Sequence, residues 1–425
     1  MQRRRVARDI GSTFASVALF PAASVLAHPA FAHFWVTRIA TMMAYQMLSV
    51  AVGWHMYELT NSALDLGLIG LAQFLPSIVL VLLVGHVADR YDRRRIARIT
   101  MIIGVAASLA LCLGSAADRV NELAIFAAVF VIGAARAFQN PTMQALLPSL
   151  IPPHDLSRAV ASSATATQVA VIAGPAVGGL VYAFGPAVVY VVCAVLYAIG
   201  VVLMKRIPVE HKRRDKEPPS LASLFAGIHF IRDHRVMLGA ISLDLVAVFL
   251  GGATALLPIY ARDILHIGPW GLGILRSATA VGALGMALWL GRYPLGGNVG
   301  RTLFAAVAIY GAATIVFGLS TIAAVSFVAL LVMGASDMVS VVIRSSLVQL
   351  GTPDHMRGRV NAVNTMFIGA SNQLGEFESG VTAEWFGTVR AVVLGGIGTL
   401  AVVAIWMRLF PRLAGYDRLD HPVQS

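Results

Sequence analysis

Apolar stretches of roughly 18 to 25 residues recur along the whole chain and constrain its fold more than any other feature. About 20 consecutive apolar residues in a helix are needed to cross the hydrocarbon core of a bilayer. Short polar or turn-forming segments separate the stretches, and Ser62 to Asp65 is typical of a capping box that opens a helix. The pattern predicts twelve membrane spans, at 34–57, 66–88, 96–115, 122–146, 157–184, 186–204, 236–261, 270–291, 302–321, 323–349, 358–385 and 388–409.

The composition also indicates a protein surrounded by lipid. Hydrophobic residues make up 58% of the 425 residues and charged residues only 12%, whereas a soluble domain is about half apolar and about a quarter charged. Charged side chains are costly on a surface that faces lipid. The two cysteines, Cys112 and Cys193, lie in apolar stretches and predict neither a disulfide framework nor a metal site.

Basic residues are concentrated on one side of the predicted membrane. With both termini assigned to the cytoplasm, the regions on that side hold 25 Lys and Arg residues and the opposite loops hold three. Such a bias is typical of the positive-inside rule, so we expect both termini in the cytoplasm. The net charge of +11 therefore indicates topology and not nucleic-acid binding. Four further arginines fall within or at the edges of spans: Arg38, Arg136, Arg276 and Arg344.

Polar segments divide the chain into five expected parts. The basic N-terminal segment is typical of an arm on the inner leaflet, and a signal peptide cleaved near Ala30–Ala32 is the alternative. Apolar residues between Leu221 and Ile231 are spaced as one face of a helix. The parts are an N-terminal arm at 1–33, a six-helix bundle at 34–204, a cytoplasmic linker with an interfacial helix at 205–235, a second six-helix bundle at 236–410 and a cytoplasmic tail at 411–425.

The two halves of the chain repeat each other at an offset of 201 residues. Seven identities at one offset, across a loop and the spans on either side, indicate an internal duplication. Six helices followed by six in parallel is typical of transporters whose halves rock around a site near the middle of the membrane. The identities are Gly133 with Gly334, Pro152 with Pro353, His154 with His355, Arg158 with Arg359, Ala161 with Ala362, Gly174 with Gly375 and Gly179 with Gly380.

The loop after the second span carries a recognisable motif. Gly85, Asp89, Arg90, Arg93 and Arg94 resemble the cytoplasmic loop motif G-x-x-x-D-R-x-G-R-R of the major facilitator superfamily. The resemblance implies that Gly85 lets two helices approach closely and that Asp89 pairs with a basic residue or a helix N-terminus of the opposite half. An aspartate precedes Arg93 where the family usually has glycine, and a basic loop with no gating role is the alternative.

The fourth span contains a second resemblance to the superfamily. Arg136 and Gln139 resemble its R-x-x-Q-G element, with Asn140 in place of the final glycine. A buried arginine is costly and normally faces a cavity or a partner, and a structural ion pair is the alternative. The repeat places Asp337 at the position that matches Arg136, so one half offers a cation and the other an acid at equivalent depth.

The fifth span contains a third resemblance. Gly174, Pro175, Gly178 and Gly179 resemble the G-P-x-x-G-G signature of the antiporter branch of the superfamily. Proline and glycine here bend the helix and permit close packing between the halves. Ordinary helix packing is the alternative explanation.

The resemblance covers essentially the whole chain. The loop from Asp89 to Arg95 and the stretch from Asn140 to Pro148 are similar to the bacterial drug and siderophore exporter group that contains the macrolide and enterobactin exporters. The resemblance implies an all-α membrane protein with twelve transmembrane helices in two pseudo-symmetric six-helix bundles. It also implies transport by alternating access.

The eleventh span is unusually polar. At about 100° per residue, its polar residues fall within one arc of the helix, and such a stripe is expected to face the central cavity or the partner half. Glu376 occupies the position that matches Pro175 in the repeat. The arc contains Asn361, Asn364, Ser371, Asn372, Gly375 and Ser379, with Glu376 and Glu378 at its edges.

Four acids within the second half are candidates for proton coupling. They are Asp244, Asp337, Glu376 and Glu378, and a buried carboxyl can load and release a proton as access alternates. Arg344 lies seven residues after Asp337 and is a candidate counter-charge for it. The alternative for each acid is a permanent ion pair with an arginine in the spans.

These features predict a secondary transporter, most specifically a proton-coupled exporter of a small amphipathic compound of the drug or siderophore type. Facilitated uptake or uniport of an organic solute, or a lipid flippase-like activity, is the alternative. The G-K pair of a P-loop and the H-E-x-x-H and G-x-S-x-G motifs are absent, so neither a nucleotide-driven pump nor an enzyme is expected. We expect a monomer in the cytoplasmic (inner) membrane whose partners are the bilayer, a small-molecule substrate and protons, with no cofactor, metal or nucleic acid.

Overall fold

The computed structural model describes residues 25–80, 83–84, 87, 91–208 and 221–417. Regular structure in these residues is entirely helical, in agreement with the predicted all-α class. The helices are α1 (Pro29–Thr60), α2 (Ala63–Val79), α3 (Arg93–Ala116), α4 (Glu122–Leu146), α5 (Leu156–Tyr182), α6 (Pro186–Lys205), α7 (Leu221–Asp233), α8 (Arg235–Leu250), α9 (Leu257–Ile259), α10 (Gly268–Arg292), α11 (Val299–Leu319), α12 (Ala323–Gly351), α13 (Asp354–Phe386), α14 (Thr388–Leu409) and α15 (Pro411–Ala414).

Nine helical segments in the described part of the chain are long and apolar enough to cross a membrane. Three further helices complete the set of twelve. Of these, α2 is apolar but has 17 residues in its continuous part, while α1 and α13 have 32 and 33 residues and contain more polar side chains. The polarity of α13 is the stripe that the sequence identifies in the eleventh span.

Local sequence signals set several helix ends. The Ser62 Oγ atom accepts a hydrogen bond from the Asp65 backbone N–H at 3.1 Å, which confirms the predicted start of α2. Gly185 has a φ of 108°, a conformation that glycine adopts without a steric penalty. Pro186 follows as the first residue of α6, where its missing N–H costs no helical hydrogen bond.

The seventh span is broken, whereas the sequence predicts one continuous helix over 236–261. Helix α8 ends at Leu250 and is followed by Gly251 and Gly252. A 3₁₀ turn over Ala253–Leu256, the short α9 and a π-helix over Tyr260–Ile264 complete the crossing. Two consecutive glycines favour such a break because glycine, which lacks a Cβ, loses more conformational freedom in a helix than any other residue.

The break is held by contacts with neighbouring helices. The Tyr310 hydroxyl of α11 donates a hydrogen bond to the Gly251 carbonyl at 3.2 Å. The backbone of Gly252 lies directly against that of Gly375 in α13. Irregular backbone inside a membrane protein is stable where other protein groups form hydrogen bonds with its free N–H and C=O groups. The break lies beside the polar eleventh span.

The sequence repeat is also a structural repeat, since three aligned glycine pairs make equivalent contacts in the two halves. Each glycine lies where a Cβ would collide with a neighbouring helix, so close helix packing depends on it. The halves are therefore pseudo-symmetric six-helix bundles, one from α1 to α6 and the other from α8 to α14. The contacts are Gly133 with Gln73 and Gly334 with Thr279, Gly174 with Gln46 and Gly375 with Phe249, and Gly179 with Gly273 and Gly380 with Gly67.

We call the end of the bundle where α1 begins and α14 ends the inner end, and the opposite end the outer end. At the inner end, α7 packs on α8 and α13 through a cluster that includes Ile231, Met237 and Val360. Phe225 of α7 is 65% exposed, so the apolar face of this helix is only partly covered by protein. The alternative cleavage site at Ala30–Ala32 lies inside α1, and residues 1–24 of the predicted N-terminal arm lie outside the described residues.

Candidate functional site

One of the four candidate acids is held in a buried ion pair. Asp244 of α8 pairs with Arg344 of α12, and the two residues are 5% and 3% exposed. The Ser340 hydroxyl donates a second hydrogen bond to the Asp244 carboxylate at 3.0 Å. Because the carboxylate already has a full counter-charge and a further donor, this pair has the properties of a fixed structural contact.

The expected pairing of Arg344 with Asp337 is wrong. Arg344 pairs with Asp244 on a different helix instead. Asp337 lies within electrostatic range of Tyr310, the residue that caps the break in the seventh span. In the described part of the chain Asp337 makes no ion pair. The seven-residue spacing places both groups on one helix face but does not determine which neighbouring helix that face meets.

Glu376 lies where the two halves of the protein meet. Its helix, α13, packs on α2 of the other half, and a Cβ on Gly70 would lie only 2.7 Å from the Glu376 Oε2 atom. Arg276 of α10 is within electrostatic range. Among the described residues, however, no cation lies within ion-pair distance of the carboxylate. Glu376 is therefore an acid at a contact that must break when the halves separate.

Glu378 has a different environment. Its Oε1 atom accepts a hydrogen bond from the Thr382 hydroxyl of the same helix at 2.7 Å, so one turn of α13 satisfies it locally. The rest of the predicted polar arc divides into buried and exposed members. Asn364, Ser371 and Ser379 are buried, whereas Asn372 is exposed.

Arg136 lies over an aromatic ring in the first bundle. Its guanidinium carbon is 3.3 Å from the centre of the Tyr45 ring in α1, a cation–π contact that fixes the side chain. Gln139 is one turn further along α4 and is buried. Both residues line a small cavity that also contains Arg38 of α1. The structure therefore brings together the two residues of the fourth-span motif, Arg136 and Gln139. It also brings Arg38 to the same cavity, a residue for which the sequence predicts no role.

The loop motif after the second span is described only in part. Gly85, Asp89 and Arg90 lie outside the described residues, so the latch that the motif implies remains a prediction. Arg93 donates to the Ala145 carbonyl at 2.9 Å and Arg94 to the Ile207 carbonyl at 2.6 Å. These bonds tie the start of α3 to the ends of α4 and α6.

The aspartate that departs from the loop motif caps a helix. The Asp92 Oδ1 atom accepts a hydrogen bond from the Arg94 backbone N–H at 2.8 Å, and Asp92 is the N-cap residue of α3. Aspartate is among the preferred N-cap residues because its side chain satisfies a free N–H of the first turn. The departure from glycine thus has a local structural reason.

The fifth-span motif packs on both halves. Gly174 and Gly178 lie against Gln46 and Met47 of α1 in the same half. The Pro175 carbonyl lies against Gly273 of α10 in the other half. One turn away, the Ser277 hydroxyl of α10 donates to the Ile172 carbonyl at 2.6 Å. The motif therefore lies at an interface between the halves that matches the contact of α13 with α2.

The outer end contains a polar junction between the halves that the sequence does not reveal. The Tyr57 hydroxyl at the end of α1 donates to the Asp263 carboxylate in the π-helix of the seventh span. Arg262 donates to the Tyr57 carbonyl at 3.0 Å. Near it, the Leu64 backbone N–H donates to Glu384 at 3.4 Å. The sequence places these residues near span ends but offers no signal that they meet.

All side-chain hydrogen bonds between the halves in the described residues lie from the middle of the membrane outward. Besides the outer junction they include Ser277 with Ile172 and Gln168 with Ala280. The structure is therefore closed at its outer end by direct contacts. The described part of the chain contains no group of three or more His, Cys, Asp or Glu residues that could hold a metal ion.

Comparison with known proteins shows which family has this architecture. The family described as transmembrane secretion effector matches residues 21–421. The chain belongs to this family. Secretion effectors of this kind are major facilitator secondary transporters, so the chain is a transporter and not an enzyme, as the sequence predicts.

Two curated relatives are exporters by name. The chain is 26% identical to the enterobactin exporter EntS of Citrobacter koseri over 379 residues, which cover 88% of this chain and 86% of the relative. It is 23% identical to macrolide efflux protein A of Streptococcus pyogenes over 264 residues, which cover 61% and 65%. These are the two exporter types that the sequence motifs resemble.

Solved structures confirm the fold of this chain. A mutant form of the nucleoside transporter NupG matches with a TM-score of 0.73 at 12% identity, covering 90% of this chain and all of that chain. A POT family transporter in complex with 5-aminolevulinic acid matches with a TM-score of 0.71 at 11% identity, covering 90% and 96%. The chain is thus a multi-pass membrane protein with the major facilitator fold.

Proposed function

We propose that this transporter exports a small amphipathic organic compound in exchange for protons, by alternating access across the cytoplasmic membrane with both termini in the cytoplasm. The observation that carries the proposal is the position of Glu376. Its carboxyl lies at the contact of α13 with Gly70 of α2, between two halves that move relative to each other in this fold.

A carboxyl at such a contact can couple two events. When the halves are together at the outer end, Glu376 is enclosed by protein and its negative charge is unfavourable without a close cation. When the halves separate at that end, water can reach the carboxyl and stabilise its charge. A proton bound from the outside would therefore neutralise the carboxyl as the outer end closes. For exchange, that proton leaves toward the cytoplasm when the inner end opens, before the substrate-loaded protein opens outward again.

The fixed pair of Asp244 with Arg344 supports this choice by contrast. That carboxylate has a counter-charge and a hydrogen bond from Ser340, so it can remain ionised in every state. Glu376 has Arg276 at longer range only. Asp337 is the second candidate, since it also makes no ion pair in the described residues and lies near the break in the seventh span.

The two exporter relatives support the direction of transport. Their names specify export of enterobactin and efflux of macrolides. The two relatives, at 26% and 23% identity, support export of an organic compound as the function of this chain. Facilitated uptake of an organic solute is the second candidate function, since the fold is shared with a solved nucleoside transporter and does not itself fix the direction of transport.

Substrate-induced proton movement in proteoliposomes tests the proposal. The vesicles carry a pH-sensitive dye and an imposed pH gradient, and receive in turn a macrolide, a cationic dye, a catecholate siderophore and an amphipathic carboxylate. We expect one compound class to produce proton movement with the wild type and none with the Glu376→Gln variant. The matched control is Glu378→Gln on the same helix, whose carboxyl is satisfied by Thr382 and whose loss should leave proton movement.

Two results would contradict the proposal. Compound transport without proton movement in the wild type would favour facilitated transport. Equal proton movement in wild-type and Glu376→Gln protein would show that Glu376 is not the proton-coupling group. Asp337 would then be the next candidate for that role.

A further inference from the structure

A small cavity in the first bundle contains two arginines that no described acid neutralises. Arg38 of α1 and Arg136 of α4 both line it, and its volume is about 40 Å³. Neither arginine forms an ion pair in the described part of the chain. Two uncompensated cations within membrane spans are costly, which points to a group of opposite charge that the protein binds there.

The two guanidinium groups are held in place with donors to spare. The Arg38 Nε atom donates to the Thr167 hydroxyl of α5 at 2.8 Å. Arg136 is fixed by its contact with the Tyr45 ring. Within the described residues the terminal Nη atoms of both arginines donate no hydrogen bond. Fixed arginines with free terminal N–H groups are well suited to bind a carboxylate through paired hydrogen bonds.

The three helices bring these groups to one level of the membrane. Arg38 lies nine residues from the start of α1, Arg136 ten from the end of α4, and Thr167 eleven from the start of α5. At about 1.5 Å per residue, each lies about 15 Å from the inner end. This depth is close to the middle of the hydrocarbon core, where transporters of this fold bind their substrates.

The rest of the lining is both polar and apolar. Gln139 is 8% exposed and lines the cavity, and its amide makes no hydrogen bond to the described residues. Met42 and Met143 provide apolar walls. The cavity has room for about three waters, which is comparable to the three heavy atoms of a carboxylate group.

We propose that this cavity binds the acid group of the transported compound, so that the substrate is an amphipathic organic anion with a carboxylate. The inference rests on the proposed transport of an amphipathic compound and narrows its chemical class. Arg38 and Arg136 bind the carboxylate oxygens, Gln139 donates through its amide, and the apolar part of the substrate extends past the methionines into the space between the halves.

A matched pair of fluorescent probes tests the inference. Dansyl-phenylalanine and dansyl-phenylalaninamide differ only in the acid group, and binding to the full chain in a neutral detergent is followed by energy transfer from tryptophan to dansyl. Trp35 lies one turn from Arg38 and serves as a donor. We expect the acid to bind about tenfold or more tightly than the amide, because only the acid forms charge-assisted hydrogen bonds.

Variants locate the preference. Arg38→Gln and Arg136→Gln should each remove most of the difference between acid and amide, and Arg38→Lys should retain part of it. The control is Arg158→Gln, which removes an exposed arginine of the same bundle at the inner end and should leave the preference unchanged. Size-exclusion chromatography and far-UV circular dichroism establish that each variant is folded before binding is measured.

Four outcomes would overturn the inference. They are equal affinity for acid and amide, no binding of either probe, a preference that survives both glutamine variants, and competitive loss of acid binding on addition of phosphatidylglycerol. The last outcome would assign the cavity to a lipid headgroup. The assay needs no pH gradient, so its failure is distinguishable from a failure of proton coupling, which appears only in the vesicle experiment with Glu376→Gln.

Discussion

Arg344 of α12 and Asp244 of α8 form an ion pair in which both side chains are almost completely buried. Removal of one partner leaves an unpaired charge inside the bundle, which costs about 3 kcal/mol or more. We therefore expect Arg344→Gln to lower the free energy of unfolding by about that amount in detergent, measured by thermal or denaturant unfolding.

The double variant provides the control for this pair. Asp244→Asn together with Arg344→Gln removes both charges, and it should be more stable than Arg344→Gln alone because no isolated charge remains. If the two single substitutions instead add, the two residues do not interact as a pair, and Asp244 returns to the set of acids available for proton coupling.

Much of this fold follows from the sequence because the bilayer restricts the options. The fourth and twelfth predicted spans coincide with α4 at Glu122–Leu146 and α14 at Thr388–Leu409, since hydropathy and length determine a span. The repeat likewise depends on glycines such as Gly133 and Gly334, which are needed wherever helix backbones touch. Each of these features is determined by a single residue or a single segment, so it can be recognised without knowledge of the tertiary contacts.

The candidate site could be predicted only in part because its features depend on pairs of residues. The seven-residue spacing of Arg344 and Asp337 places both residues on one helix face. In the tertiary fold, however, Arg344 forms its ion pair with Asp244 of another helix. The junction of Tyr57 with Asp263 joins residues 206 positions apart, and neither has a local sequence signal. The break at Gly251 and Gly252 does have one, since paired glycines inside a span favour irregular backbone.

The outer junction is expected to hold the halves together through the Tyr57 hydroxyl. Tyr57→Phe removes its hydrogen bond to Asp263, and a net loss of about 1 kcal/mol should raise the population of the outer-open state about fivefold. Hydrogen–deuterium exchange mass spectrometry should then show faster exchange in peptides that cover 57–70 and 260–275.

Tyr182→Phe is the matched control for the outer junction. Its hydroxyl donates to Glu58 at 2.6 Å, a bond at the outer end that lies within one half. Its loss should leave exchange across the interface unchanged. Equal acceleration in both variants would mean that the effect is local loosening of the outer end and not separation of the halves.

The close approach of α5 and α10 depends on Gly273. A Cβ at this position would collide with the Pro175 carbonyl and would lie 3.1 Å from the Ala176 Cα atom. Gly273→Val should therefore prevent closure of the outer end and reduce transport in proteoliposomes by about tenfold or more. The control is Gly285→Val in the same helix, where a Cβ meets no atom within 4 Å.

The comparison of the two valine variants separates steric contact from helix propensity. Valine has similar intrinsic effects at both positions of α10, so a difference between them reports the contact with α5. Similar transport in both variants would show that the outer-closed packing described for Gly273 is not required for the cycle.

Gradient-driven transport and equilibrium exchange, measured side by side with one identified substrate, test the role of Glu376 most directly. Both assays use proteoliposomes with wild-type, Glu376→Gln and Glu378→Gln protein. We expect Glu376→Gln to lose accumulation driven by the pH gradient while it retains exchange of substrate without a gradient, because the halves can still rock but no proton is carried. Glu378→Gln should retain both. Gradient-driven accumulation that persists in Glu376→Gln would contradict the assignment of Glu376 as the proton-coupling group.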